Sequence, residues 1–179
     1  YMDFFLTEEQ KMFQAMVRDF ATNVVKPEAA KIDEEGKFPA DIFKKAAELG
    51  LFGITIDEKY GGSGGDYLSM TICCEELARA SGGLAAIFLA NLSLACYPIY
   101  KFGSEEQKQK YVAPIARGEK ICCFVLTEPG AGSDAGATQT TATREGDKIV
   151  INGNKIFITN GAEASIAVVG VKIDGRRLI

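Results

Sequence analysis

Histidine is absent from the 179-residue sequence, and proline is scarce, with five residues. Without histidine, the chain cannot carry a Ser-His-Asp triad, a Cys-His pair or any metal site with a histidine ligand. Basic residues are fewer than acidic ones: the sequence has 20 Lys and Arg and 24 Asp and Glu, which gives a net charge of −4. This balance argues against nucleic-acid binding, which requires a surface with excess positive charge.

The five cysteines form no recognisable metal or redox motif. They occur as two adjacent pairs and a single residue, at Cys73, Cys74, Cys96, Cys122 and Cys123, with no CxxC spacing. An odd number also argues against the disulfide framework of a small secreted protein. Their neighbours are apolar, which favours reduced thiols in a core over a catalytic cysteine.

No segment has the composition of a targeting or membrane-spanning element. The N-terminus lacks a basic region followed by an apolar stretch, so no signal peptide is predicted. The most apolar run, residues 84–100, falls short of the ~20 residues that span a bilayer and contains Asn91, Ser93 and Pro98. These features predict a cytoplasmic protein that does not enter a membrane.

The first two thirds of the sequence carry helical patterns. Thr7 with Gln10, and Ser104 with Gln107, have the spacing of capping boxes, in which two side chains satisfy the free backbone groups of a helix start. Residues 84–97 are expected to form an apolar helix. Apolar side chains at helical spacing predict about five helices in this part of the chain.

Strand patterns follow Gly118. A turn is expected at Glu145-Gly146-Asp147, and Asn152-Gly153-Asn154 predicts a hairpin. The expected strands are residues 121–127, 138–144, 148–151, 155–159 and 166–173. Helices followed by strands, without alternation, predict the α+β class.

The glycine-rich segment 127–134, Thr-Glu-Pro-Gly-Ala-Gly-Ser-Asp, has the strongest signal for chemistry. Its free backbone N–H groups and small residues suit an anionic group such as a phosphate, although a plain glycine-rich turn has the same composition. Gly130, Gly132 and Ala135 match the G-x-G-x-x-A spacing of a dinucleotide fingerprint, but a predicted strand follows where that motif needs a helix. Residues 61–65 are also glycine-rich but lack the Gly-Lys-Ser/Thr of a phosphate-binding P-loop.

Several longer motifs resemble the acyl-CoA dehydrogenases, most closely the bacterial short-chain enzymes of the butyryl-CoA dehydrogenase type. The resemblance covers nearly the whole chain. It rests on Leu-Thr-Glu-Glu-Gln at 6–10, Tyr-Gly-Gly at 60–62, Phe-Gly-Ser-Glu-Glu-Gln-Lys at 102–108, Pro-Ile-Ala-Arg-Gly at 114–118, Leu-Thr-Glu-Pro-Gly-Ala-Gly-Ser-Asp at 126–134 and Asn-Gly-Asn-Lys-Ile-Phe-Ile-Thr-Asn-Gly at 152–161.

The resemblance implies a fold of two parts: an all-α domain at residues 1–118, and at 119–179 the first part of an antiparallel, barrel-like middle domain. A C-terminal helical bundle would complete the subunit, and the sequence is therefore expected to be truncated. The resemblance also implies FAD as cofactor, a homotetramer in the full-length form, and a location in the cytoplasm, or in the mitochondrial matrix for a eukaryotic protein.

The same resemblance assigns site residues by motif position. Phe124 and Leu126 would pack at the isoalloxazine, Thr127 would hydrogen-bond its pyrimidine end, and Phe157 would stack beside it. Ser133 would lie at the pyrophosphate and also contact the acyl-CoA, and Thr159 would reach N5. Gly132 and Ile158 would be further cofactor contacts. Hydroxyl donors at these flavin atoms stabilise the negative charge of the reduced ring.

The implied reaction is α,β-dehydrogenation of an acyl-CoA, with hydride transfer to flavin N5 and electrons passed to electron-transfer flavoprotein. The general base of this family is a glutamate expected beyond residue 179, and Glu128 is expected to have a structural role. A bulky Tyr97 favours a short acyl chain if it points into the acyl pocket, and core packing explains it equally well. Two alternatives remain, a truncated non-catalytic binding module and an enoyl-CoA reductase of the same superfamily.

Overall fold

A computed structural model of the chain describes residues 5–173 and the backbone of residues 176–178. The α-helices are α1 (Glu8–Phe20), α2 (Lys26–Glu35), α3 (Ala40–Glu48), α4 (Tyr67–Ala80), α5 (Gly82–Leu89), α6 (Tyr97–Phe102), α7 (Glu105–Gln107) and α8 (Ala113–Ala116). Three π-helical segments, Ala21–Val25, Ala90–Cys96 and Lys108–Val112, join α1 to α2, α5 to α6 and α7 to α8. Short 3-10 helices occur at Glu58–Tyr60 and Ala135–Ala137. The strands are β1 (Cys122–Val125), β2 (Thr141–Glu145), β3 (Lys148–Asn152), β4 (Ile166–Val169), β5 (Val171–Ile173) and β6 (Arg176–Leu178).

Both predicted capping boxes form at helix starts. At α1, the Gln10 backbone N donates to the Thr7 hydroxyl at 3.2 Å, and the Thr7 backbone N donates to Gln10 Oε1 at 3.0 Å. At α7, the equivalent distances between Ser104 and Gln107 are 3.2 and 2.8 Å. Each box satisfies two backbone donors that the helix itself leaves free, so these local signals fix where the helices begin.

Aromatic side chains form the centre of the helical core. Phe52 is fully buried between Phe43 and Phe88, with ring centroids 4.0 and 4.3 Å away. A second cluster, which includes Tyr60 and Cys122, packs the helical part against β1. The first strand of the β part is therefore held by the helices, which fixes the start of the segment that follows it.

The apolar run forms a longer helix than predicted. α5, the π-helical segment and α6 are continuous over Gly82–Phe102, and these 21 residues are long and apolar enough to cross a membrane by length and composition alone. Within the helix, 44% of the most apolar stretch is buried inside the molecule. One such helix is weak support for a membrane span, because the core helices of water-soluble proteins have the same composition.

The strands form two small sheets. β1 pairs with β4 in parallel, and a four-stranded sheet has the order β3-β2-β5-β6. The α+β class is thus confirmed, and the described strands form no closed barrel. Two of the pairings, β1 with β4 and β2 with β5, are parallel, which the expectation of an antiparallel sheet did not include.

Two strand predictions are wrong. The hairpin predicted at residues 152–154 does not form, because residues 155–159 are not a strand. The hairpin that does form joins β2 to β3 around the predicted turn at Gly146. They cannot continue an extended ladder because Phe157 has a φ of 54°. Residues 166–173 divide at Gly170 into two strands that belong to different sheets, and a Cβ at Gly170 would lie 2.7 Å from the Leu126 side chain.

Candidate functional site

A closed turn follows β1 and presents its tip to solvent. The backbone N of Glu128 donates to the carbonyl of Ala131 at 3.0 Å, and the backbone N of Ala131 donates back to Glu128 at 3.1 Å. Gly130, Gly132 and Ser133 are exposed, and a Cβ added at either glycine would meet nothing within 4 Å. An anionic or planar group can therefore approach the backbone of this turn without a steric barrier.

The buried carboxylate of Glu128 anchors the turn from beneath. It accepts hydrogen bonds from the Gln139 backbone N at 2.6 Å, from the Thr140 backbone N at 3.0 Å and hydroxyl at 2.5 Å, and from Lys155 Nζ at 2.8 Å. The bonds from Lys155, then Thr140 and Gln139, hold the pKa of Glu128 down to about 2. Glu128 is therefore an ionised structural anchor whose carboxylate binds four donors within the protein.

Lys155 brings the second motif to the end of β1. Its ammonium donates to the Leu126 carbonyl at 2.8 Å as well as to Glu128, and its side chain is 9% exposed. The backbone N of Ile156 donates to the Thr127 carbonyl at 2.9 Å. Residues 126–128 and 155–156, which are nearly thirty positions apart in the sequence, thus share one hydrogen-bond network.

The segment after Lys155 displays an aromatic ring. Phe157 is 89% exposed, and its φ of 54° is rare for a bulky side chain. Asn160, three residues later, also has a positive φ, of 65°. Residues in such strained backbone cluster at active and ligand sites, and Phe157 lies two positions after Lys155, which binds Glu128 of the turn.

The eight predicted cofactor residues lie on these two segments and on β1. Phe124, Leu126, Thr127 and Ile158 are half-buried, whereas Gly132, Ser133, Phe157 and Thr159 are exposed. The contact between Thr127 and Ile156 brings the two motifs together. Ile158 lines a cleft of about 380 Å³ together with Ile87 and Asn160.

Sequence reasoning missed the residues that hold the site together. Lys155 appears in the sequence as one charged residue in a polar turn, and no local signal indicates that its ammonium is buried. Asn160 had a usable signal, because Asn followed by Gly favours left-handed backbone. The structural role predicted for Glu128 is confirmed by its four hydrogen bonds.

The cysteines lie in the core, as predicted. Four of the five are buried, and Cys74 is half-buried. Burial raises the pKa of the Cys73 and Cys96 thiols to about 12 and also raises that of Cys122, so that these thiols stay protonated at neutral pH. Within the part of the chain that the structure describes, no group of three or more Cys, Asp or Glu side chains could hold a metal ion.

Comparison with known proteins accounts for both parts of the chain. Residues 7–119 match the family model "Acyl-CoA dehydrogenase, N-terminal domain", and residues 123–178 match "Acyl-CoA dehydrogenase, middle domain". The short-chain specific acyl-CoA dehydrogenase of Clostridium acetobutylicum is 51% identical over 97% of this chain and 46% of its own length. The human mitochondrial short-chain specific acyl-CoA dehydrogenase is 48% identical over 97% of this chain and 42% of its own length. The 3-(aryl)acrylate reductase of Clostridium sporogenes is 44% identical over 95% of this chain and 45% of its own length.

Solved structures give the same result. Butyryl-CoA dehydrogenase from Megasphaera elsdenii superposes with a TM-score of 0.90 at 41% identity, over 95% of this chain and 45% of that one. An acyl-CoA dehydrogenase complexed with FAD from Bacillus anthracis superposes with a TM-score of 0.91 at 40% identity, over 98% of this chain and 30% of that one. A chain from work on the electron transferring flavoprotein of Acidaminococcus fermentans superposes with a TM-score of 0.91 at 48% identity, over 95% of this chain and 45% of that one. The chain spans about half the length of the relatives it matches, and with both family models matched it belongs to the acyl-CoA dehydrogenase family.

Proposed function

We propose that this chain supplies the N-terminal domain, residues 1–118, and the first part of the middle domain, residues 119–179, of an FAD-dependent acyl-CoA dehydrogenase that acts on short-chain substrates. The short-chain specificity and the butyryl-CoA activity in the names of its relatives support this substrate class. Electron-transfer flavoprotein is the proposed acceptor, in keeping with the similar chain from the Acidaminococcus fermentans work. A homotetramer in the cytoplasm, or in the matrix of a mitochondrion, is the proposed assembly and location.

The residues present fit a flavin. The observation that carries the proposal is the exposed Phe157 ring in strained backbone, two positions after Lys155, whose ammonium binds Glu128 at the base of the open turn. A planar, apolar ring system needs such an aromatic wall, and a pyrophosphate needs accessible backbone N–H groups. The turn and the segment that carries Phe157 are joined by the bonds from Lys155 to Glu128 and from Ile156 to Thr127.

The proposed roles follow from the side chains. Phe124, Leu126, Ile158 and Phe157 would bound the flavin ring and exclude water from it. Hydroxyl donors would serve its polar edge, with Thr127 at the pyrimidine end and Thr159 at N5, while Gly132 and Ser133 would bind the pyrophosphate and Ser133 would also contact the acyl-CoA. The bound flavin would accept the substrate's β-hydride, and the threonine hydroxyls would stabilise the negative charge that follows.

The base that removes the α-proton is proposed to be a glutamate outside these 179 residues. Glu128, the carboxylate buried at the turn, does not suit that role because four donors already bind it and its pKa is about 2. A base with that pKa has little driving force to take a carbon-bound proton at neutral pH. FAD-loaded chain mixed with butyryl-CoA should therefore keep its flavin absorbance, and rapid substrate-dependent bleaching would contradict this assignment.

Titration of the chain with FAD tests the site. Phe157→Ala should weaken binding about tenfold, because stacking on an aromatic side chain contributes roughly 1–3 kcal/mol. The matched control is Phe102→Ala, since Phe102 is also a strongly exposed phenylalanine, at 82%, and lies outside the proposed site. A parent chain that does not bind FAD, or equal effects of the two variants, would refute the assignment and favour the alternative of a non-redox binding module.

The second candidate function is an acyl-CoA reductase of the same superfamily. The 44% identity to the 3-(aryl)acrylate reductase of Clostridium sporogenes supports this second candidate. Both reactions use the same flavin site, and their direction depends on the potential of the flavin and on the electron partner. The reduction potential of the complete FAD-bound protein, measured with and without acyl-CoA, separates the two candidates.

A further inference from the structure

Two asparagine side chains bind the same residue of β1. The backbone N of Cys122 donates to Asn91 Oδ1 at 2.8 Å, and the carbonyl of Cys122 accepts from Asn160 Nδ2 at 3.4 Å. The N–H and C=O of one extended residue point to the same edge of a strand. Asn91 and Asn160 therefore take the position that a neighbouring strand would occupy on the edge of β1 that does not pair with β4.

Asn160 also reaches the long helix Gly82–Phe102. Its Nδ2 donates to the Ile87 carbonyl at 3.1 Å, and a primary amide has two N–H groups, so the bonds to Ile87 and Cys122 can form together. Its backbone is left-handed, with a φ of 65°, a conformation that asparagine accepts more readily than most residues. One side chain thus ties the chain just after Thr159 to a helix and to a strand.

Each amide leaves one atom unpaired. Among the described residues, Asn91 Nδ2 and Asn160 Oδ1 are the buried side-chain nitrogen and oxygen atoms without a hydrogen-bond partner. An unpaired buried polar atom opposes folding at least as strongly as one neutral hydrogen bond favours it. The principal effect of Asn160 is therefore on where the segment 157–159 lies, and its net effect on global stability is small.

We propose that Asn160 is a positioning residue for the flavin site, which fixes Phe157 and Thr159 by anchoring the end of their segment to Ile87 and Cys122. This inference rests on the proposed function, because the group positioned is the aromatic wall of the flavin. Lys155 and Ile156 hold the beginning of the segment, and Asn160 holds its end. Both ends must be fixed if an exposed ring is to keep one orientation.

The test uses Asn160→Gly, which keeps the left-handed backbone accessible and removes both hydrogen bonds. Asn160→Asp removes the donor and keeps the shape of the side chain. Asn154→Gly is the matched control. Asn154 is exposed, and its replacement by glycine adds the same backbone freedom at the other end of the segment. Far-UV circular dichroism and a thermal transition verify that each variant is folded.

Two quantities are measured on each folded variant. The first is the rate at which chymotrypsin cleaves after Phe157, with cleavage after Phe102 as an internal reference, and it needs no ligand. The second is the dissociation constant for FAD. In both Asn160 variants we expect cleavage after Phe157 to accelerate and FAD binding to weaken, each about fivefold or more, because a hydrogen bond contributes about 1 kcal/mol.

The outcomes separate this inference from the proposed function. An unchanged rate of cleavage after Phe157 in Asn160→Gly overturns the anchoring role of Asn160, whatever the dissociation constant for FAD. If the Asn160 variants are cleaved faster but bind FAD with unchanged affinity, the link between Asn160 and the flavin is overturned. Equal effects in Asn154→Gly would overturn it as well. In both cases the proposed FAD binding by the parent chain still stands. A parent chain that binds no FAD overturns the proposed function and, with it, the flavin part of this inference.

Discussion

At the scale of single residues, the buried ion pair between Glu128 and Lys155 decides the geometry of the candidate site. Both side chains are less than one tenth exposed, and each also bonds to backbone groups of another segment. Such a pair stabilises only while both partners are present, because removal of one leaves a buried charge without its counterion. The surface pair Arg117–Glu119 has the same chemistry but is about half exposed, so water screens it.

Glu128→Gln should therefore lower the melting temperature by roughly 5–10 °C, whereas Glu119→Gln should change it by less than about 2 °C. The double variant Glu128→Gln with Lys155→Gln should regain part of the loss, since it leaves no unpaired charge. Thermal unfolding followed by circular dichroism measures all three. Equal effects of the two single variants would show that the Glu128 pair is no stronger than a surface pair.

Acid should abolish the contribution of Glu128 in a defined range of pH. Its folded pKa of about 2 lies below the ordinary value of 4.5, so the unfolded chain binds the proton first as the pH falls. Stability from this group is complete above about pH 4.5 and is lost on the way down to about pH 2. The difference in melting temperature between the parent and Glu128→Gln should accordingly narrow from pH 6 to pH 3, and a constant difference would contradict the assigned pKa.

At the scale of elements, the junction between the helices and β1 depends on close packing. Gly118 follows α8 with a φ of 69°, and a Cβ there would lie 2.3 Å from the Ala47 Cβ and 3.0 Å from the Phe52 ring. Gly146, in the turn between β2 and β3, has a similar φ of 64° but open space around it. The two glycines thus share a backbone requirement and differ only in packing.

Gly118→Ala should reduce the free energy of unfolding by about 3 kcal/mol, and Gly146→Ala by about 1 kcal/mol. The smaller figure is the cost of left-handed backbone for alanine, and the difference is the cost of forcing an extra methyl group into a packed interior. Urea unfolding at neutral pH measures both. Similar losses for the two variants would mean that the junction relaxes around the added methyl group.

At the scale of the whole molecule, the helical part is well packed and the sheet is open. All five residues of β3 are exposed, and it is an edge strand of the described sheet. Its apolar side chains Ile149, Val150 and Ile151 are 50%, 44% and 49% exposed. An exposed apolar edge strand is a template for pairing with another chain.

The chain should consequently associate through β3 at high concentration. Val150→Lys should reduce this association, because a charged edge strand resists pairing. Met12→Lys is the control, since it introduces the same charge at an apolar residue that is 72% exposed on α1. Light scattering over a concentration series measures the effect, and equal suppression by both variants would point to net charge as its cause.

Features that depend on neighbouring residues could be predicted from the sequence. The capping boxes at Thr7 and Ser104 formed as predicted, because a cap involves a side chain and a backbone three residues away. The long motifs at 126–134 and 152–161 were sufficient to identify the family, which the comparisons confirmed. The structural role of Glu128 also followed from its place in the turn.

Features that depend on contacts between distant parts of the chain could not be predicted in this way. Residues 155–159 have a strand-like sequence but another conformation, in which Lys155 bonds to Leu126 and Glu128, and Asn160 bonds to β1 and α5. Residues 166–173 divide between two sheets: the Gly170 backbone N donates to Val125, whereas the Lys172 backbone N donates to Thr140. Burial of the Lys155 ammonium likewise has no local signal, since it requires a carboxylate 27 positions away. Local hydrogen bonds are encoded by spacing in the chain, whereas the candidate site is assembled by contacts that exist only after the chain has folded.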